Sequence, residues 1–402
     1  MPLTQPTVWR SLLAAADWRH HLRQLSDRPA LDVAFITNLR DEDERRRFFT
    51  PGAALDRHAS GPRLHLGPVA GAIRGLNVTA AEILDREGRR RARQVFMDAV
   101  DWAQDQGARV VLLAASTKRL FGRDGHDLKA RFPHLLFTLG DNGTAWLLCR
   151  DVERAARLAG LPTLQQARVL VVGAYGILGT AVSRHLQAQG CQVAGWGRQV
   201  VLLEELSSRT GLPVCMNLET AGHFDIVVTC THSPDSRLSA EQLELLRPEG
   251  RRLVVVDVAE PANLTPEALA RCGGRVIRQD AGNAHSPQLR YVLGRLSHHK
   301  LHLPRGTAFG CFAEAMALHH AAHVERQAHV LQQDWFQVNP AQMGLVARAF
   351  DGLRLGLPDP HCFGQPLPPR WDLQVPAAHL HGPAGSANRL DHAGPPALGQ
   401  LT

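Results

Sequence analysis

Short apolar runs alternate with amphipathic stretches along most of the chain. Leu31 to Thr37 is the first run and predicts a buried strand. Residues 1–30 before it form a polar lead-in with one short amphipathic stretch (Trp9, Leu12, Leu13, Trp18, Leu22). Residues 51–68, rich in Gly, Pro and His, read as loop. Thr79 with Glu82 three positions on is a capping-box signature. Ile83, Val95, Phe96, Ala99, Val100 and Trp102 then recur at helical spacing. A second strand, Arg109 to Ala115, follows Gly107, and Leu147 to Leu158 reads as helix.

The pattern is sharpest further on. Arg168 to Val172 is an apolar strand, 173–179 a glycine-rich turn, Thr180 to Gln189 a helix ended by Gly190, and Cys191 to Trp196 the next strand. Strands at Asp225–Cys230, Leu253–Val258 and Arg275–Arg278 follow, with helical or polar stretches between. Strands alternating with helices predict an α/β fold with a doubly wound parallel sheet. Helices are predicted from about Phe309 past His323 and from about Pro340 to Leu353. The expected organisation is a lead-in (1–30), an N-terminal α/β domain (31–160), a Rossmann domain (161–300), C-terminal helices (301–357) and a disordered tail (358–402) without periodicity.

With 402 residues, 44% hydrophobic and 21% charged, the chain has the composition of a globular protein of several domains. No apolar run reaches the ~18–20 residues of a membrane span, and no signal peptide is read at the start, so a cytoplasmic protein is expected. The seven cysteines form no C-x-x-C pair, which argues against a disulfide framework or structural zinc. The net charge of +7 favours an acidic partner, and without a nucleic-acid-binding motif that partner is not expected to be nucleic acid. His298, His299, His302, His319, His320 and His323 cluster in sequence. No H-E-x-x-H pattern accompanies them, so no metal is expected.

Gly173, Gly176 and Gly179 space a nucleotide-binding turn between an apolar strand and a helix. The first permits a tight turn, the second lets the backbone approach a pyrophosphate, and the third lets helix pack on strand. Tyr175, Ile177 and Leu178 within it are further candidate cofactor contacts. The next strand ends in Gly195-Trp196-Gly197-Arg198, without the carboxylate that an NAD site places on the ribose hydroxyls. Arg198 is placed to pair with a 2′-phosphate, which favours NADPH; a solvated surface arginine is the alternative. Thr231, at the end of a later strand, is a candidate on the same edge.

Cys311 stands in the first turn of a predicted helix among Gly310, Ala313 and Ala315, where the helix dipole lowers a thiol's pKa; ordinary packing in an Ala-rich helix is the alternative. Cys149 and Cys215 read as core residues. The segment Cys311-Phe312-Ala313-Glu314-Ala315-Met316 is similar to the C-F-A-E-A-M segment of the long-chain acyl-(acyl-carrier-protein) reductases of cyanobacterial type. Gly173 to Gly179 resembles that family's G-A-T-G-x-I-G turn, and Phe137 to Trp146 its F-T-T-G-N-x-H-T-A-Y stretch. Asp257 with Pro261 to Leu264 resembles its D-G-G-Y-P-K-N-L, and Gly282 and His285 fall in its G-G-V-V-E-H. The matches keep their order from about Leu76 to Leu357. Gly140-Asp141-Asn142-Gly143 lacks the family's histidine, and Asp257-Val258-Ala259 replaces D-G-G.

The resemblance implies NADPH-dependent reduction of a fatty acyl thioester, carried by acyl carrier protein or coenzyme A, to a fatty aldehyde. It gives Cys311 the nucleophile's role. His285 is the candidate for proton transfer or substrate orientation, with an ordinary loop histidine as the alternative. Asp141, Asn142 and Thr144 are candidates for the substrate entrance, or Asp141 or Asn142 caps a helix. Arg86, Arg89, Arg90, Arg91 and Arg93 form a solvated helix face or a dock for an acidic carrier. Two rival readings stand. One is a dehydrogenase of shikimate-dehydrogenase-like layout, whose N-x-T-x-P-x-K stretch Asn77-Val78-Thr79 begins but Ala80-Ala81-Glu82 does not continue. The other is a non-catalytic NADP(H)-binding sensor or scaffold.

Overall fold

The computed structural model describes residues 6–375 apart from 27, 162, 232, 233, 295, 296, 298–300 and 302. The tail beyond 375 and His298, His299 and His302 lie outside the described residues. Two six-stranded sheets carry the fold. The first comprises β1 (Val33–Leu39), β2 (His58–Leu66), β3 (Val69–Thr79), β4 (Val110–Leu113) and β5 (Leu136–Thr138), with β13 (Leu289–Tyr291) at its edge, in the order β13-β2-β3-β1-β4-β5. β3, β1, β4 and β5 run parallel, while β2 pairs antiparallel with both β3 and β13. The chain therefore returns to the first sheet before residue 300.

The second sheet holds β6 (Arg168–Val172), β7 (Gln192–Trp196), β8 (Val214–Cys215), β9 (Ile226–Thr229), β10 (Leu253–Asp257) and β11 (Val276–Asp280). Its order, β11-β10-β9-β6-β7-β8, is all parallel and reverses direction of growth between β6 and β9, the arrangement of a Rossmann fold. β9 and β10 are buried at every residue, as strands covered by helices on both faces must be.

Helices used below are α1 (Pro6–Ala16), α2 (Trp18–Leu25), α3 (Ala80–Leu84), α4 (Arg86–Asp105), α5 (Asp141–Leu158), α6 (Ile177–Ala188), α7 (Gly310–His319) and α8 (Pro340–Gly352). α5 joins the two halves, packing on α7 and α8 on one side and on α6 of the Rossmann domain on the other. α7 lies on the first sheet, where Phe312 stacks on Phe35 with ring centroids 4.3 Å apart. A short antiparallel ribbon, β12 (Asn283–His285) with β14 (Thr307–Phe309), leads into α7.

Three expectations are corrected. The segment 51–68 contains β2: Gly61-Pro62 interrupts its apolar pattern, and the register shift between Ser60 and Arg63 accommodates that break. The helix from Thr79 is two helices. The capping box of Thr79 and Glu82 starts α3, and Asp85 then leaves helical geometry and caps Gly88 N–H to start α4. The segment after 357 is ordered as far as Val375. β15 (His361–Cys362) pairs with β16 (Gln365–Pro366), and Trp371 and Leu373 are buried in the Rossmann core.

Candidate active site

The glycine turn has the shape a dinucleotide requires. Gly173 takes φ +82°, and a Cβ there would stand 3.1 Å from Thr231 Cβ, so the ends of β6 and β9 approach too closely for a side chain. A Cβ on Gly179 would lie 2.2 Å from the Gly173 carbonyl oxygen, which keeps the start of α6 against the turn. First-turn amides of α6 thus face the crevice between β6 and β9, where a pyrophosphate sits. Ile177 is exposed at this mouth, Leu178 packs toward the Rossmann core, and the Tyr175 ring lies against Gly197. These residues fit a nicotinamide dinucleotide. Arg198 is exposed past the end of β7, but it is ion-paired: its Nη1 lies 2.9 Å from Asp235 Oδ2, and a 2′-phosphate has to replace or share that partner.

Cys311 is half-buried in the first turn of α7. Gly140, with φ +71°, closes the end of β5 against it: a Cβ there would meet Cys311 Cβ at 2.2 Å. Gly143 and Gly310 complete a seam of small residues. Their missing side chains would strike Glu314 Cβ at 2.8 Å and the Gly282 carbonyl oxygen at 2.5 Å. Gly310 N–H donates to that oxygen over 2.9 Å. A Cβ on Gly282 would touch Val258 Cγ2, just past β10, at 2.5 Å. The seam therefore sets the thiol beside the carboxyl edge of the Rossmann sheet. Arg40, after β1, reaches Glu260, after β10, over 2.6 Å, so the same edges of the two sheets face one another.

Two residues missed in the sequence complete the cluster. Lys118, just after β4, is ion-paired with Asp141. Glu314 is fully buried, one turn along α7 from Cys311, accepting from Thr138 Oγ1 and, over 2.5 Å, from Gly143 N–H. Burial pushes the Cys311 thiol up to about 11, against the pull of Lys118. This corrects the expectation of a lowered thiol pKa: the helix start is real, and desolvation outweighs it. Burial likewise raises Glu314 to about 7, opposed by its bonds to Thr138 and Gly143. Burial pulls Lys118 down, but Asp141 and Cys311 more than offset this and its pKa is raised. The sequence signals were slight: Glu314 stands inside the segment around Cys311, and Lys118 is one of only three lysines in an arginine-rich chain.

The other candidates divide. Asp141 is buried in the cluster, and neither it nor Asn142 caps α5, whose N-cap is Gly140. Asn142 is fully buried and donates to Gln337 O over 2.9 Å, which anchors that loop. Thr144 donates to Gly140 O over 2.8 Å and holds the start of α5. His285 is in β12 rather than a loop, its ring beside Gly306, three residues from Gly282 and so about 10 Å along the ribbon. The structure does not bring it to Cys311. Cys362 is not in a free tail; its Sγ lies 3.7 Å from Arg278 Nη1. His319 and His323 lie toward the opposite end of the first sheet, beside Asp32 and Arg109. Of the arginines on α4, Arg91 and Arg93 are ion-paired with Glu82 and Asp127.

The shikimate / quinate 5-dehydrogenase family model matches residues 153–280, which is the Rossmann domain. The chain is 27% identical over 251 residues to a long-chain acyl-(acyl-carrier-protein) reductase of Synechococcus elongatus, covering 59% of this chain and 69% of that one. It is 32% identical over 122 residues to chloroplastic glutamyl-tRNA reductase 2 of Cucumis sativus, covering 28% of this chain and 22% of that one. Among solved structures, L-tryptophan dehydrogenase from Nostoc punctiforme aligns with TM-score 0.35 and 15% identity, over 81% of this chain and 88% of that one. Dipicolinate synthase A chain from Bacillus subtilis aligns with TM-score 0.31 and 16% identity, over 62% and 88%. The sequence matches and the Rossmann domain together make this chain a nicotinamide-dependent oxidoreductase. No described helix is long and apolar enough to cross a membrane.

Proposed function

We propose that the protein reduces a fatty acyl thioester to a fatty aldehyde with NADPH, through an acyl-enzyme on Cys311. The observation that carries the reading is the glycine seam that sets this thiol, flanked by Lys118 and Glu314, at the carboxyl edge of the Rossmann sheet. The similarity to the Synechococcus reductase supports the substrate class. The shikimate-type layout has less support. Its model matches only residues 153–280, and Thr79 is engaged in a helix cap with Glu82 where that stretch would run on to its lysine.

A thiol held near pKa 11 is protonated at rest, so attack requires a proton acceptor. Glu314, on the same face of α7 and titrating near neutrality, accepts the proton. The Lys118 ammonium stabilises the thiolate, and its pairing with Asp141 holds it in place. Thiolate attack on the thioester carbonyl forms a C–S bond and breaks the carrier's, and the departing carrier thiolate takes a proton from solvent while Glu314 keeps the one it received. Backbone amides of the first turn of α7, with Lys118, oppose the oxyanion's charge. Bound NADPH supplies the hydride. The resulting hemithioacetal collapses to aldehyde and Cys311 thiolate, which Glu314 reprotonates. Residues of the N-terminal domain line the acyl site, and the arginine-rich face of α4 receives an acidic carrier. Arg198 takes the cofactor's 2′-phosphate and Thr231 lies along the dinucleotide. His285 orients substrate from the far end of the ribbon.

Intact-protein mass spectrometry after mixing with acyl-carrier-protein and coenzyme A thioesters, without cofactor, tests the reading. An acyl adduct on Cys311, absent from Cys311→Ala while that variant still binds NADPH, is expected. An adduct that persists in the variant, or unchanged NADPH oxidation, ends the mechanism.

A further inference from the structure

Helix α2 is inside out. At 100° per residue, Trp18, Leu22 and Leu25 fall within an arc of about 60°. They are 61%, 54% and 83% exposed. The opposite face, His20 and Arg23, turns into the protein: Arg23 forks onto both oxygens of Asp32 at 2.6 and 2.8 Å, and His20 Nδ1 lies 3.4 Å from Ala30 O. Asp17, buried beneath the helix start, is bound by Arg63 and His65. Helix α1, immediately before it, has the ordinary orientation and buries Trp9 and Leu13 against Val292. Since a helix this short gains little from its own backbone, its ion pairs fix its orientation, and they hold its apolar stripe in water.

We propose that this stripe docks the protein on an anionic membrane surface. The three side chains expose on the order of 400 Å², half of the ~800 Å² per partner that a stable protein interface buries, which argues against a second copy as the occupant. A bilayer sets no such minimum. Trp18 suits the headgroup level and the leucines the acyl boundary below it. The charge is complementary. Arg19 lies over the Trp18 ring at 5.4 Å and Arg28 is exposed. Residues 6–31 carry four arginines (Arg10, Arg19, Arg23 and Arg28) against two carboxylates, Asp27 and Asp17, the latter buried and ion-paired. The helix contacts Pro29, Ala30, Asp32 and Pro68, at the amino end of β1, whereas Lys118 and Gly140 follow the carboxyl ends of β4 and β5. The docked face and the thiol are thus at opposite ends of the first sheet, and docking leaves the thiol's crevice open. The inference is independent of which substrate is reduced.

Co-sedimentation of the full chain with phosphatidylcholine vesicles, and with vesicles part phosphatidylglycerol, tests it. The wild type is expected to pellet with the anionic vesicles, and to do so less as salt rises. Trp18→Gln, Leu22→Gln and Leu25→Gln together should weaken this at least tenfold, with NADPH binding and melting temperature unchanged. Arg19→Gln and Arg28→Gln should each weaken it about fivefold. Failure to pellet with anionic vesicles, or equal pelleting of the triple variant, overturns the proposal. So does a dimer, seen by sedimentation velocity, that the triple variant dissolves, because the stripe then belongs to a second copy.

Discussion

Replacing Gly140 by Ala tests whether the backbone after β5 sets the thiol's position. The backbone there has φ +71° and ψ +11°, a left-handed conformation that costs an L residue about 1–2 kcal/mol. The new methyl would lie 2.2 Å from Cys311 Cβ, 2.5 Å from its Cα and 2.9 Å from Leu112 Cδ1. Carbon atoms pack at about 3.5–4.0 Å, so the start of α7 has to retreat by more than 1 Å; overpacking of this kind costs about 1–3 kcal/mol. The expected total is about 2–5 kcal/mol. Gly122 separates the two terms, because it has the same φ of +71° and nothing within 4 Å of an added Cβ. Gly122→Ala should show the conformational cost alone. Urea denaturation of both variants measures the difference, and stopped-flow acylation of the thiol measures its displacement, where an error near 1 Å costs about 100-fold. If Gly140→Ala is no less stable than Gly122→Ala and is acylated at the wild-type rate, the seam does not position Cys311.

Three further outcomes follow from the same structure. Burial raises Glu314 from its ordinary value of 4.5 to about 7. Between those pH values the unfolded chain has released a proton that the folded protein retains, so stability falls as pH rises, by about 1.4 kcal/mol per unit, and is flat above about pH 7. Glu314→Gln removes that slope, so its stability relative to wild type should rise from pH 5 to pH 8 by on the order of 3 kcal/mol; parallel denaturation midpoints would refute it. Asp235→Asn releases Arg198 and should tighten NADPH binding without altering NADH binding, whereas Arg198→Ala should weaken NADPH about tenfold, both read by titration calorimetry. Trp371→Ala should cost about 3–5 kcal/mol, since the ring is buried in the Rossmann core and the backbone bonds Leu158 O; an unchanged denaturation midpoint would show that the segment is not part of the fold.

The Rossmann half was legible because its strands are mostly apolar where buried, polar only at Thr229 and Asp257 at strand ends and at Arg278 and Gln279 in β11, and because its glycines answer a local steric need. β6, β7, β9, β10 and β11 all lie within a residue or two of their expected bounds. Where a strand carries polar residues and a break, as β2 does with His58, Gly61-Pro62 and Arg63, the local pattern matches that of loop, and only pairing with β3 and β13 makes it a strand. The segment after 357 failed for the related reason that Trp371 and Leu373 are isolated apolar residues. Their burial depends on a surface built two hundred residues earlier, to which no periodicity in the segment points.

The site divides along the same line. Gly173 and Gly179 act through local geometry and could be read from spacing, whereas spacing placed Cys311 at a helix start and only the resemblance singled it out. Lys118 meets Asp141 across 23 positions, and Glu314 meets Thr138 and Gly143 across 176 and 171. Those partners are adjacent only because β4 and β5 end side by side beneath α7. The thiol's state follows from that convergence: the dipole argument is local and lowers its pKa, whereas burial under the first sheet, invisible in a nine-residue window, raises it to about 11. A thiol read by helix position alone is therefore assigned the wrong protonation state. The two ionisable groups beside it, half-buried Lys118 and buried Glu314, are what the proposed chemistry needs to correct that state.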